Sequence, residues 1–172
     1  MGMTPVEGLL MGTRSGDVDA GIVSFVMEKE NIGTQAISTL VNKHSGLLGI
    51  SGVSSDMREI RAAIAAGNEK AKLAYDMFVY RIKKYIGAYT AALGGADILL
   101  FTGGIGENAV YIREQICLDL AFLGIKIDID KNNQTFGEEA VISLPDSKIT
   151  IMVVPTDEEF MIASDTMDIV NR

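Results

Sequence analysis

Residues 101–108, FTGGIGEN, form a glycine-rich segment directly after a short apolar run. The run, residues 96–101, predicts a strand buried on both faces. A glycine-rich turn after a parallel strand lets a ligand approach the backbone, and the helix predicted over residues 107–122 would point N–H groups at that ligand. The segment is therefore the first candidate binding site. The alternative is a tight turn in which Glu107 and Asn108 only cap the helix.

The same segment contains the dinucleotide-binding pattern G-x-G-x-x-G/A, at residues 104–109. Asp128 or Asp130 lies about 20 residues further on, where a ribose-binding acid would be found. A pyrophosphate is nevertheless disfavoured, because the Glu107 carboxylate would take the positive end of the helix dipole. The residues favour contact with the uncharged base and ribose of a nucleotide, through backbone groups and Asn108. The alternative is an NAD-binding oxidoreductase domain, which predicts an N-terminal fingerprint that this chain does not show.

Arg14 is a second candidate, in the glycine-flanked segment MGTRSGD at residues 11–17. The loop is too small to offer a long apolar surface on which the side chain could pack. The guanidinium is therefore predicted to be available to a ligand. Its planar fork suits a carboxylate or a phosphoryl group. The alternative is a surface arginine paired with Asp17 or Asp19.

Glu158 and Glu159 form a third candidate, since they follow a predicted strand end. A carboxylate there can help to hold Mg²⁺, usually through water. The alternative is the negative charge that a helix N-terminus favours. His44 has no acidic or nucleophilic partner nearby in sequence and predicts a capping or surface residue, and Cys117 predicts a core residue.

The elements that must position these residues are mostly helices, followed by late strands. Helices are predicted over about 19–29 capped by Asp17, 35–43 started by Thr34, 57–66 capped by Ser55 or Asp56, 68–92 capped by Asn68, and 157–170. A short glycine-rich joint is predicted between the second and third of these helices. The apolar stripe of the long helix is predicted at Leu73, Met77, Tyr80 and Lys84/Tyr85. Further strands are predicted over 124–130, 140–144 and 149–154. This order predicts an α/β fold.

Composition limits the function further. The chain has 172 residues, 48% of them hydrophobic, and a formal net charge of −8, which argues against a nucleic-acid partner. The single cysteine excludes an intrachain disulfide and a multi-thiolate zinc site. Signal-peptide and membrane-spanning patterns are not found, which predicts no membrane partner and a cytoplasmic protein. The P-loop, protein-kinase, G-x-S-x-G and H-E-x-x-H motifs are not found either.

Four ordered blocks resemble the acetate kinase family, which moves a phosphoryl group between ATP and acetate. They are MTPVEGLLMGTRSGDVD at 3–19, SGVSSDMREI at 51–60, LLFTGGIGENA at 99–109 and VVPTDEEFMIASDT at 153–166. The resemblance covers essentially the whole chain. It implies a helix-rich, ribonuclease-H-like C-terminal domain of the actin and sugar-kinase type, with the first strands of its sheet missing. Residues 1–172 would be one partial nucleotide-binding domain, made of an active-site loop (1–16), a helical region (17–95) and a strand-loop-helix core (96–172).

The resemblance also implies roles for particular residues. Arg14 looks like the catalytic arginine that stabilises the transferring phosphoryl group, and Glu158 like the acid that positions Mg²⁺. The residues that would hold adenosine are Asp56, Met57, Arg58, Gly104, Ile105 and Asn108. Two positions depart from the family pattern, since Met57 stands where an aromatic residue is frequent and Asp157 where asparagine is usual.

The resemblance implies that the family's phosphate-binding segment, catalytic aspartate, second arginine and catalytic-site histidine precede residue 3, in an N-terminal half that this chain lacks. The expected partners are ATP and ADP, acetate or another short-chain acid such as propionate or butyrate, the missing half, and a second copy in a homodimer. Transfer would be in-line, with Mg²⁺ as cofactor. The chain alone is predicted to be inactive. A non-catalytic dimerisation module is a further alternative.

Overall fold

The computed structural model describes residues 2–171, which fold as two compact units, Met1–Ala92 and Leu93–Arg172. We call these the N-terminal unit and the C-terminal unit. The N-terminal unit contains the helices α1 Ala20–Glu30, α2 Thr34–Lys43, α3 Gly46–Ser51, α4 Met57–Ala65 and α5 Glu69–Leu93. The C-terminal unit contains β1 Ile98–Phe101, α6 Gly103–Asn108, α7 Val110–Asp119, a 3-10 turn Ala121–Leu123, α8 Ile129–Gln134, β2 Ala140–Val141, β3 Thr150–Val153 and α9 Glu158–Val170.

Side-chain caps determine where several helices of the N-terminal unit begin. Asp56 accepts a hydrogen bond from the N–H two residues further on, and Asn68 from the N–H three residues further on, as predicted for α4 and α5. The cap of α1 was predicted wrongly: it is Asp19, at 2.8 Å from the N–H two residues further on. The Asp17 carboxylate accepts instead from the Gly8 N–H at 2.7 Å. The predicted glycine-rich joint before α4 contains a short helix, α3.

The long helix α5 packs through a stripe other than the predicted one. Its buried residues are Ala71, Ala74, Phe78 and Val79. Most of the predicted stripe is exposed, with Leu73 at 52%, Met77 at 37% and Tyr80 at 56%, whereas Tyr85 is half-buried. Both stripes have helical spacing, so the apolar pattern alone did not identify the packed face.

The C-terminal unit is built on a three-stranded sheet in the order β1-β3-β2. β1 pairs with β3 in parallel, and β2 pairs with β3 antiparallel. Ile151 and Val153 of β3 are fully buried. The prediction that β1 is buried on both faces is wrong, since Ile98 and Leu100 are each more than half exposed. Alternate β1 side chains point to opposite faces, and the described residues leave this one open.

Residues 124–130 do not form the predicted continuous strand. Ile125 makes an isolated parallel bridge to Ile149, and Ile127 an isolated antiparallel bridge to Ser143. The segment then turns into α8, because the Asp128 carboxylate caps the Lys131 N–H. The alternating pattern therefore corresponds to extended backbone with two isolated bridges, and the N-cap of α8 ends that extended segment early.

The core of the C-terminal unit is formed by buried residues of α7 and of the sheet. Ile112, Ile116 and Cys117 of α7 are at most 2% exposed. Burial raises the pKa of the Cys117 thiol to about 12, so the prediction of a core cysteine is confirmed. At the other extreme, every described residue of α9 is exposed, Phe160 and Ile162 included. The described chain is α/β and helix-rich, and none of its helices is long and apolar enough to cross a bilayer.

Candidate functional site

The glycine-rich segment is helical, which differs from the predicted turn followed by one long helix. Thr102 is extended, Gly103 has φ +71°, and α6 runs from Gly103 to Asn108 before a break at Ala109 leads into α7. Gly106 packs against the end of β1, where an added Cβ would lie 3.2 Å from the Phe101 carbonyl carbon. Gly104 is exposed, with no atom within 4 Å of an added Cβ. One glycine thus permits close packing, and the other leaves the backbone accessible.

The three predicted adenosine-binding residues of this unit lie together on α6. The Asn108 side-chain amide donates to the Gly104 carbonyl at 3.0 Å, so the two residues share one turn of helix. Asn108 is exposed, and Ile105 is half-buried between them. The amide and the open glycine form a small polar surface beside an apolar side chain, which suits a neutral, planar group better than a charged one.

Glu107 places a negative charge beside this surface. Its carboxylate accepts from the Thr156 N–H and hydroxyl, each at 3.0 Å. These hydrogen bonds, with a smaller contribution from the Gly103 N–H, lower the pKa of Glu107. The ionised carboxylate therefore ties α6 to the segment before α9 and disfavours a phosphate at the beginning of α6.

Arg113 was not among the predicted site residues, although it is the largest fully buried side chain described. Its guanidinium donates to the carbonyls of Gly106 and Glu107, both at 2.8 Å, and to Asn132 and Thr135. Burial lowers the pKa of Arg113. A signal was present in the sequence, because Arg113 stands directly beside Ile112 in the buried stripe of α7.

Arg14 lies in a loop that is attached to α2 and α3 by backbone hydrogen bonds. Ser15 donates to the Val41 carbonyl at 2.9 Å, and the loop carbonyls accept from Ser45, Leu47 and Leu48. The Thr13 hydroxyl donates to the Asn42 carbonyl at 2.9 Å. Arg14 itself is half-buried, and its Nη1 lies 3.9 Å from the Met11 sulfur.

Gly46 allows this loop to approach α3. It has φ +64°, and an added Cβ would lie 2.1 Å from the Met11 carbonyl oxygen and 2.7 Å from that of Arg14. Both distances are far below van der Waals contact, so no side chain fits there while the loop keeps its place.

Asp17 closes the loop at its far end. Its carboxylate accepts from the Gly8 N–H, from Arg81 at 3.0 Å, and from the Tyr85 hydroxyl in a short hydrogen bond. The pKa of Asp17 is lowered, mainly by Tyr85, and the pKa of Tyr85 is raised, mainly by Asp17. The ion-pair partner of Asp17 is thus Arg81, on α5.

Arg14 lines an open cavity of about 480 Å³ between its loop and α2. The other lining residues are Thr13, Gln35, Ser38, Thr39, Asn42 and Lys43. The lining offers two cationic side chains together with hydroxyl and amide groups, and no carboxylate, so the cavity suits an anion.

The remaining adenosine-binding candidates lie at the beginning of α4. Asp56 accepts from the Arg58 side chain at 2.5 Å and from its N–H, which lowers the pKa of Asp56 to about 2. The Arg58 side chain is 89% exposed, whereas Met57 is buried. A ligand would therefore meet the Met57 backbone rather than its thioether.

Glu158 is the first residue of α9 and is exposed, while the neighbouring Asp157 caps the helix through the Phe160 N–H at 2.9 Å. Among residues 2–171 no group of three or more acidic, histidine or cysteine side chains could hold a metal. The exposed Glu158 would supply a single carboxylate, which is compatible with Mg²⁺, since this ion commonly uses one or two carboxylates together with water and substrate phosphates.

The fold defines the class of the chain as a helix-rich α/β protein with a small three-stranded sheet. A family model described as the acetokinase family matches residues 1–164. The chain therefore belongs to the acetokinase family, as the four sequence blocks predicted.

The acetate kinase of Bacteroides thetaiotaomicron is 64% identical over 172 residues, which are 100% of this chain and 43% of that protein. The crystal structure of Porphyromonas gingivalis acetate kinase matches with a TM-score of 0.92 and 61% identity, over 99% of this chain and 43% of that one. A propionate kinase from Francisella tularensis matches with a TM-score of 0.86 and 44% identity, over 95% and 41%. The chain thus spans less than half the length of these relatives.

Proposed function

We propose that this chain is the nucleotide-facing C-terminal portion of an acetate kinase, with a ribonuclease-H-like fold of the actin and sugar-kinase type. The whole enzyme would transfer a phosphoryl group in line between ATP and acetate. The observation that carries the proposal is the family match over residues 1–164, which includes both the Arg14 loop and α6. We further propose a cytoplasmic homodimer.

In the C-terminal unit, Gly104, Ile105 and Asn108 would hold adenine and ribose. The exposed backbone at Gly104 and the Asn108 amide support this role, because a base and a ribose offer neutral donors and acceptors. The ionised Glu107 supports the same assignment by disfavouring phosphates at this place. In the N-terminal unit, Asp56, Met57 and Arg58 would contribute to adenosine binding.

Arg14 would neutralise charge on the transferring phosphoryl group. A guanidinium needs a fixed geometry to stabilise a transition state, and the backbone hydrogen bonds of its loop supply one. Glu158 would hold Mg²⁺ through water. The bound ion would neutralise charge on the phosphates of ATP.

The acid substrate is proposed to be acetate. Identity to the two bacterial acetate kinases, 64% and 61%, exceeds the 44% found for the bacterial propionate kinase, whereas an acetate kinase from Entamoeba histolytica is 34% identical. Propionate and butyrate are the alternative substrates.

Calorimetric titration of the 172-residue chain with ATP, AMP and NADH tests the adenosine site. We expect ATP and AMP to bind with similar weak affinity, because the contacts are to the adenosine end, and NADH to gain nothing from its second nucleotide. Much tighter binding of NADH would instead support a dinucleotide domain.

The same preparation tests activity. We expect no acetate-dependent turnover of ATP, because the family's other catalytic groups are proposed to lie outside this chain. Turnover that disappears in Arg14→Ala would contradict this expectation.

A further inference from the structure

The Arg113 side chain joins the ends of two helices. Its Nη1 donates to the carbonyls of Gly106 and Glu107, in the last turn of α6. Its Nη2 donates to the carbonyls of Asn132 and Thr135, at the end of α8, at 3.1 and 2.8 Å. Its Nε donates to the Asn132 side-chain oxygen at 2.8 Å.

These acceptors explain why a cation is buried here. Carbonyls in the last turn of a helix have no intrahelical partner and carry the negative end of the helix dipole. All the acceptors named are neutral oxygens, so the guanidinium compensates two helix ends rather than a carboxylate. An apolar side chain would avoid the desolvation that lowers the pKa of Arg113, but it would remove a donor from all four carbonyls. The Glu107 and Asn132 carbonyls also accept from the N–H groups of Gly137 and Thr135, so the Gly106 and Thr135 carbonyls depend most on the guanidinium.

The partner Asn132 is itself fixed. It is fully buried, and its side-chain amide donates to the Val110 carbonyl at 3.0 Å, in the first turn of α7. Arg113, Asn132 and the end of α6 thus form one connected set of hydrogen bonds around the break at Ala109. Helix α6 is only six residues long and has no buried residue of its own, so it needs such outside contacts to keep its orientation. This set is the buried one, and the Glu107 hydrogen bonds to Thr156 are at the surface.

We propose that Arg113 is a positioning residue for nucleotide binding, acting through α6 on Gly104, Ile105 and Asn108. This inference rests on the proposed function, since it assumes that α6 holds the adenosine end of ATP. Because Arg113 is fully buried, it would act through α6 and not by contact with the nucleotide. Loss of the Arg113 guanidinium should lower the affinity for all adenosine nucleotides by the same factor, whatever their number of phosphates.

The test compares Arg113→Met and Arg113→Lys in the 172-residue chain, with Lys131→Met as the matched control. Lys131 is an exposed cation on α8, directly before Asn132. We expect Arg113→Met to weaken ATP and AMP alike by about tenfold or more, because several charge-assisted hydrogen bonds are lost. Lysine can restore at most three donors, so Arg113→Lys should recover part of the affinity. Lys131→Met should bind like the unsubstituted chain.

Amide hydrogen exchange gives a second, independent measurement. In both Arg113 variants we expect residues 103–109 to lose protection while β1 and β3 keep theirs. If Arg113→Met does not fold, Arg113→Lys decides the question. Unchanged affinity together with unchanged protection of residues 103–109 would overturn the inference, as would an equal loss of protection throughout the C-terminal unit.

Failure of the proposed function has a different signature. An unsubstituted chain that binds neither ATP nor AMP would refute the adenosine site, and with it the effect of Arg113 on nucleotide affinity. The exchange experiment would still decide whether Arg113 positions α6.

Discussion

The loop around Arg14 is positioned mainly by backbone groups, whereas helix α6 is positioned mainly by side chains, with Arg113 as the buried one and Glu107 at the surface. Backbone hydrogen bonds attach the loop to α2 and α3, and Gly46 permits the contact by lacking a Cβ. Helix α6 depends instead on the guanidinium of Arg113, which binds its last carbonyls. The Arg14 loop should therefore be sensitive to added atoms at Gly46, and α6 to the loss of hydrogen-bond donors.

Gly46→Ala should produce the largest effect on the loop. A Cβ there would lie 2.1 Å from the Met11 carbonyl oxygen, so the loop or α3 must move. Gly52→Ala is a matched control, since Gly52 has nearly the same φ, +65°, and no atom within 4 Å of an added Cβ. We expect Gly52→Ala to lower the free energy of unfolding by about 1 kcal/mol from backbone strain alone. Gly46→Ala should cost about 2 kcal/mol more.

Urea unfolding followed by tyrosine fluorescence measures this difference, because all tyrosines except Tyr111 belong to the N-terminal unit. If both variants lose the same free energy of unfolding, the added Cβ at Gly46 is accommodated without cost. The Arg14 loop would then not be sensitive to added atoms.

Asp17→Asn should perturb the loop less than Gly46→Ala does. This substitution tests whether the loop is also held by a side chain. The Asp17 carboxylate raises the pKa of Tyr85, because a tyrosinate would lose the hydrogen bond and face a negative charge. We expect the asparagine variant to bring the pKa of Tyr85 down toward its ordinary value. Absorbance titration of tyrosinate detects the change, and Tyr85→Phe identifies which titration belongs to Tyr85. An unchanged pKa would show that the contact does not persist in solution.

Glu107→Gln should have the smallest effect on stability, because its partner Thr156 is exposed and Arg113 still holds α6. The pKa of Glu107 is lowered in the folded chain, so its stabilising contribution is complete above the ordinary glutamate pKa. It is lost as the pH falls through the lowered value. The NMR shift of the Thr156 amide should report this titration in the unsubstituted chain. It should report none in Glu107→Gln, and Glu138→Gln is the control.

Local chemistry made part of the fold predictable. Asn68 was predicted as a cap, and Asp56 as one of two alternatives with Ser55, because a short polar side chain before an apolar helix satisfies N–H groups a few residues away. The family followed from four blocks in a fixed order, three of which combine glycine with polar residues while the fourth combines Pro155 with acidic residues. Helix α9 was predicted to within a residue from Pro155 and the acidic first turn.

Other features depend on long-range packing and were missed. The face of α5 that packs was not distinguishable from a second apolar stripe, and the strand predicted at residues 124–130 was cut short by the Asp128 cap. Arg113 escaped notice because its partners lie on segments that come together only in the folded unit, Asn132 being 19 residues away. The roles of Arg14, Glu158 and the adenosine-binding residues stay predictions.

The burial of Cys117 makes this thiol a natural probe of local opening in the C-terminal unit. Alkylating reagents attack the thiolate, and with a pKa of about 12 almost none forms at neutral pH while α7 is packed. Labelling must therefore wait until the core of the C-terminal unit opens. Since Cys117 is the only thiol, the rate of modification measures that opening directly, without an introduced probe.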